Sequence, residues 1–126
     1  MARNLATSFE PSPSTFEVTF AALISDPSAL VLVAVDEGTE ELVGYLLGFL
    51  HLTFFANGPV GWVEEVFIRA ERRRAGVGQS LMAQFEGWAW EGGARLVALA
   101  SRRAHSFYEA IGYEDSAVYF RKLAPG

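Results

Sequence analysis

The stretch Glu71-Arg-Arg-Arg-Ala-Gly-Val-Gly-Gln-Ser-Leu-Met82 sets three arginines and two glycines where an apolar spacing of three to four begins. The free N–H groups of a helix's first turn point outward, and the helix dipole favours negative charge there. Arginine's planar fork suits phosphate oxygens, and glycine at 76 and 78 lets backbone approach an anion closely. The chemistry such a stretch supports is the holding of phosphate. Net charge is −5, yet six of the ten basic residues (Arg69, Arg72, Arg73, Arg74, Arg102, Arg103) fall in two short clusters. A Walker loop would need Gly-Lys-Ser/Thr, which is absent. A dinucleotide fingerprint would need a third glycine where Leu81 stands.

Other residues could move protons. Glu64 and Glu65 sit inside an otherwise apolar strand, where a carboxylate is costly unless paired or used. Neighbouring strand residues point to opposite faces, so only one of the two is expected to face a cleft. Tyr108 lies beside Phe107 on a short amphipathic stretch. With no cysteine in the chain, disulfides, thiolate catalysis and Cys-type zinc sites are excluded. No carboxylate–histidine spacing suggests a metal site, and none is expected.

These side chains need elements to position them. Residues 10–14 read as a loop, and Ser14 with Glu17 forms a capping-box pattern ahead of Phe16, Phe20, Leu23 and Ile24. That helix, over 14–25, should end at Asp26-Pro27. ALVLVAV (29–35) reads as a strand buried on both faces. Glu37-Gly38-Thr39 turns the chain into a second strand at about 41–50, making a hairpin. A turn at Asn57-Gly58-Pro59 leads to a third strand, 61–69. Val77, Leu81, Met82, Phe85, Trp88 and Ala89 then mark a helix closed by Gly92-Gly93. Trp88 and Trp90 cannot share a face of it, which puts Trp88 in the core and Trp90 at a surface. A short strand (96–100), a helix (101–111) and a last strand (116–123) complete an α/β fold with a mixed sheet. With 126 residues, 51% hydrophobic, one domain over 1–126 is expected.

Composition narrows the setting. The N-terminus lacks the apolar core of a signal peptide, and the most apolar segment, 42–56, is short of the roughly 18–20 residues that span a bilayer. A soluble cytoplasmic protein with no membrane partner is expected. The acidic balance argues against nucleic acid and is compatible with a cationic substrate.

Arg73-Arg-Ala-Gly76-Val-Gly78 matches [Q/R]-x-x-G-x-[G/A], and the chain thereby resembles the GNAT superfamily of N-acetyltransferases. Upstream, WVEEVFIRAE resembles the family's fourth strand. Downstream, Ala104-His-Ser-Phe-Tyr108-Glu-Ala-Ile-Gly112-Tyr resembles its A-x-x-F-Y-E-x-x-G-F/Y segment. The blocks occur in the family's order over roughly residues 14–123. The resemblance implies a mostly antiparallel sheet flanked by helices, with acetyl-CoA in a V-shaped opening between two strands. Only about thirteen residues precede the helix at 14–25, so the first strand and helix are expected to be reduced or absent.

By resemblance, the main chain of Val66, Phe67 and Ile68 would pair with the pantetheine arm. Arg73, Arg74, Ala75, Gly76, Val77 and Gly78 would cradle the pyrophosphate. Tyr108 matches the family's general acid, and Glu64 is favoured as base, working through water. Ser101 stands where an asparagine often binds the cofactor. Arg102 and Arg103 are candidates for its 3′-phosphate, or are solvated surface. Phe54, Phe55 and Trp62 are candidate walls of an acceptor pocket, and His105 and His51 read as surface and structural residues. The implied activity is acetyl transfer to the primary amine of a small-molecule or peptide acceptor by direct attack, in a homodimer as many members form. The alternative is a non-catalytic acyl-CoA-binding sensor or regulatory module.

Overall fold

The computed structural model describes residues 13–126 apart from Phe55, with side chains from Phe16 onward. The loop at 10–12, the Ser14 cap, Phe55 and the reduced N-terminus therefore lie outside the described residues. The elements run α1 (Pro13–Ile24), β1 (Ala29–Val35), β2 (Leu42–Thr53), β3 (Gly58–Ile68), a single 3₁₀ turn (Ala70–Arg72), α2 (Val77–Glu91), β4 (Leu96–Leu99) and α3 (His105–Ala110). One sheet has the order β1-β2-β3-β4. Its first two pairings are antiparallel and β4 lies parallel to β3, as the mixed, mostly antiparallel expectation required. Among the described residues no helix is long and apolar enough to cross a membrane.

Helix α2 carries the core. Its spacing brings Leu81, Met82, Phe85 and Ala89 onto Leu46 and Val63 of the sheet, and all six are buried. Phe85 lies directly over Gly48, where any Cβ would fall 2.2 Å from the ring, so only glycine lets this helix sit so close. At that point the β2–β3 register slips by one: Leu47 faces Glu65 while Gly48 faces Val63, leaving Glu64 as the extra residue of a β-bulge. Trp88 packs beside Phe85 with ring centroids 5.5 Å apart, while Trp90 stays exposed, as their spacing predicted.

Three expectations are corrected. The β1 strand is an outer strand of the sheet: Leu30, Leu32 and Ala34 meet the core, but Val33 and Val35 are 56% and 49% exposed, so the second face is covered only in part. The turn expected at 57–59 ends at Asn57, whose φ is 57°; Gly58 and Pro59 already pair with Thr53 and Leu52. Pro59 is tolerated because it stands at the strand's start. The last strand, 116–123, is absent. That segment has no regular secondary structure and joins no ladder, and Val118, Tyr119, Phe120 and Leu123 are exposed.

Candidate active site

Strand β4 is only four residues long, and its pairing with β3 ends at Val63–Leu99. From Glu64 to Ile68, β3 has no partner on that side among the described residues. The Arg69 N–H donates to the Val43 carbonyl at 2.8 Å, which fixes the alternation back along β3. Phe67 turns its N–H and C=O toward β2, whereas Val66 and Ile68 turn theirs to the open side. Of the three main-chain groups expected to face a ligand, those of Val66 and Ile68 turn to the open side and that of Phe67 turns to β2. Four steps at ~3.3 Å make this open edge roughly 13 Å long.

The far end of the edge leads to the arginine–glycine stretch. Gly76 has φ 84°, a left-handed geometry that favours glycine, and it precedes α2 with no side-chain cap. No acidic residue lies in the first turn. The outward N–H groups there remain open to an anion, and a Cβ at Gly76 would meet nothing within 4 Å. Arg73 lies beside the edge, its Nε in a long 3.4 Å contact with the Ile68 carbonyl. Arg74 and Ala75 are exposed between it and the helix. These residues fit a pyrophosphate.

Two neighbours have other duties. Arg72 is bound to Asp36, whose other carboxylate oxygen accepts the N–H groups of Gly38 and Thr39 at 2.8 and 3.0 Å. The Arg72 hydrogen bond, then those two, hold the Asp36 pKa down at about 2. This clamp ties the β1–β2 turn to the chain just before the cradle. At Gly78, expected in the cradle, the missing side chain leaves room for the Phe107 ring, which would lie 3.2 Å from a Cβ. Gly78 therefore seats α3 against α2.

The bulge overturns the expectation that Glu64 and Glu65 face opposite ways. Trp62 Nε1 donates to Glu64 Oε2 at 2.7 Å, and the Tyr45 hydroxyl donates to Glu65 Oε1 at 2.9 Å. Trp62, Tyr45 and Phe67 lie on the sheet face away from α2, so both carboxylates share that face. Only Glu64 borders the cleft of about 640 Å³ at the tip of the opening, with Trp62, Ser101, Arg102, Tyr119 and Arg121. Burial, then the Glu65 charge and hydrogen bond, push the Tyr45 pKa up.

Tyr108 is half-buried on α3, its ring 4.9 Å from Phe107 and 5.9 Å from Tyr113. Burial raises its pKa, so it keeps its proton at neutral pH. The Ser101 hydroxyl oxygen accepts the Ala104 N–H at 3.1 Å, shaping the turn into α3 and leaving its own proton free to donate. His105 lies exposed, 3.3 Å from Glu109 and 3.4 Å from Asp115, and His51 is exposed on β2. Phe54 stands in solvent and forms no wall of the cleft. Among the described residues no three side chains converge as metal ligands.

The model of the Acetyltransferase (GNAT) family matches residues 2–113. The chain belongs to the GNAT acetyltransferase family. It is an acyltransferase, and the family's donor is acetyl-CoA. An aminoglycoside N(6′)-acetyltransferase type 1 of Stenotrophomonas maltophilia is 27% identical over 111 residues, covering 83% of this chain and 72% of that one. An aminoalkylphosphonate N-acetyltransferase of Salmonella typhimurium is 32% identical over 109 residues, covering 82% and 68%. The structure of AAC(6′)-Iy with a bisubstrate analogue, CoA-S-monomethyl-acetylneamine, superposes with a TM-score of 0.80 over 98% of this chain and 88% of that chain, at 17% identity.

Sequence reasoning missed Tyr45, Tyr119, Arg121 and the Asp36 clamp. Tyr119 and Arg121, two apart in a segment whose sequence reads as a strand, can share a side, and that alternation was the available signal. Tyr45 and Asp36 act through register and turn geometry, for which the sequence carries no local mark.

Proposed function

We propose that this GNAT acetyltransferase moves the acetyl group of acetyl-CoA to the primary amine of a small-molecule or peptide acceptor, by direct attack within a ternary complex. The supporting observation is the open edge of β3, with an uncapped helix N-terminus at one end and Glu64 at the other. The backbone of Arg73 to Gly78, with the Arg73 and Arg74 side chains, holds the pyrophosphate. The main chain of Val66 and Ile68 pairs with the pantetheine arm, and an edge N–H polarises the thioester carbonyl. Bound acetyl-CoA supplies the activated acyl group. Glu64, working through water, takes the proton from the acceptor's ammonium and frees its lone pair. Tyr108 gives a proton toward the departing sulfur. The absence of cysteine leaves no thiolate to carry an acyl-enzyme, which favours direct transfer.

Relatives that acetylate aminoglycosides and aminoalkylphosphonates support an amine acceptor. Exposed Trp90, Val118 and Phe120 favour a homodimer, to be read by sedimentation. Calorimetric titration with acetyl-CoA, with ATP and NAD as controls, tests the donor site first. Selective binding in the micromolar range is the expected result. No binding of acetyl-CoA would remove the cradle and the proposed reaction together.

A further inference from the structure

At the tip of the opening β3 passes from two partner strands to one. Trp62 still pairs with Phe49 on one side and with Ala98 on the other, so three strands fix its backbone. Glu64, two residues on, has neither: the pairing with β4 ends at Val63–Leu99, and Glu64 is the bulge residue that no residue of β2 faces. Its side chain is exposed, and a long acidic side chain costs rotamer entropy to hold in one place. The indole of Trp62 supplies the hold. Its Nε1 donates to Glu64 Oε2 at 2.7 Å, the short end of the range for an N–H group meeting a charged oxygen.

An indole nitrogen can only donate, so it takes one carboxylate oxygen and leaves the other for a proton. The ring turns on two torsions only and is itself half-buried on the three-stranded part of the sheet. The bond runs back along β3, so the carboxylate is drawn toward the place where β3 and β4 separate, with Ala100 and Ser101 in the same cleft. Glu65 offers the contrast: the Tyr45 hydroxyl holds it from β2, and it borders no part of that cleft. Resting on the proposed acetyl transfer, we infer that Trp62 is a positioning residue, whose indole N–H holds the Glu64 carboxylate where the acceptor's ammonium can pass it a proton through water. As a wall of the cleft Trp62 needs only its ring; as a positioning residue it needs only its N–H, and it acts through Glu64.

Trp62→Phe keeps an aromatic wall and removes the N–H. The assay is thiol release from acetyl-CoA with kanamycin or 2-aminoethylphosphonate as acceptor. The kcat of Trp62→Phe should fall about tenfold, the size of one hydrogen bond to a charged group, with KM for acetyl-CoA within about twofold. In a Glu64→Gln background the same substitution should lower kcat by less than about twofold, because no base is left to aim. Tyr45→Phe, which takes a donor from Glu65 instead, should lower kcat less than Trp62→Phe does. Losses that multiply in the double variant overturn the inference while leaving acetyl transfer standing. So does a Trp62→Phe enzyme whose acceptor KM rises at unchanged kcat, since that is the mark of a wall alone.

A second measurement needs no turnover. The chain has three tryptophans, so its indole N–H groups give three resonances in a proton–nitrogen correlation spectrum, and Trp62→Phe identifies one of them. In Glu64→Ala that resonance should move upfield while those of Trp88 and Trp90 stay. If acetyl-CoA binds but neither acceptor is turned over, this spectrum decides: a moved resonance supports the inference and an unmoved one overturns it. Unchanged kcat in Glu64→Gln would remove the base, and the inference with it. Failure to bind acetyl-CoA at all is the separate failure of the underlying reaction.

Discussion

Glu64 and Glu65 are adjacent, share a sheet face and are each held by an aromatic donor, yet only Glu64 borders the cleft. Glu64→Gln keeps a hydrogen-bond partner for the Trp62 indole and removes the base. Its kcat should fall by about 10²–10³, with KM for acetyl-CoA within twofold. Glu65→Gln should cost far less; equal losses in the two would deny Glu64 its assigned role. Tyr108→Phe should lower kcat more modestly, by roughly tenfold, because a thiol of pKa near 8.5 can leave without help. Stopped-flow comparison with unchanged acetyl-CoA affinity checks it. The residue types at these positions were legible in the sequence. Their directions were not, because strict alternation fails at a bulge, and the bulge lies opposite Gly48, where Phe85 of another element packs.

At the scale of elements, periodicity located α2 and the β1–β2 hairpin because each carries its own pattern. It misread the environment of β1 and the last strand because those depend on neighbours: β1 is an outer strand whose second face is only partly covered, and 116–123 joins no ladder. The cradle combines both cases. Its glycines were legible, but Gly76 serves by its left-handed φ whereas Gly78 makes room for Phe107. Gly76→Ala should therefore lower stability by about 1–2 kcal/mol, the cost of a left-handed Cβ, and weaken acetyl-CoA binding as well. Chemical denaturation together with calorimetry would show both losses; a variant with unchanged stability and affinity would remove the geometric reason for glycine there. Phe85→Ala, in the fully buried heart of α2, should cost roughly 3–5 kcal/mol.

Across the whole molecule, three tyrosines tie separate elements to the sheet and helices. Tyr45 links β2 to Glu65 of β3, and the Tyr113 hydroxyl donates to Glu86 of α2 at 2.5 Å, with Tyr108 packed between α3 and the core. Burial is the largest cause raising the pKa of each, and the partner carboxylate adds to it at Tyr45 and Tyr113. A raised pKa means the folded chain holds these protons more tightly than the unfolded chain. Their contribution is fully present below the unfolded value of about 10 and is lost as pH climbs above it. Asp36 runs the other way: its pKa of about 2 gives stability present above the ordinary carboxylate value and lost as pH falls from about 4 toward 2. Unfolding by denaturant, followed through tryptophan fluorescence, should show stability declining at both ends. Tyr113→Phe should flatten the alkaline decline and leave the acid one, while Asp36→Asn should do the reverse. If both variants keep the parent's slopes, titration of these groups does not set the pH limits of the fold. The acid arm has a further consequence: because Asp36 also fixes Arg72 just before the cradle, its protonation should loosen acetyl-CoA binding before the fold itself gives way. A binding curve that falls with pH ahead of the unfolding curve, and does so no longer in Asp36→Asn, would tie the clamp to the donor site.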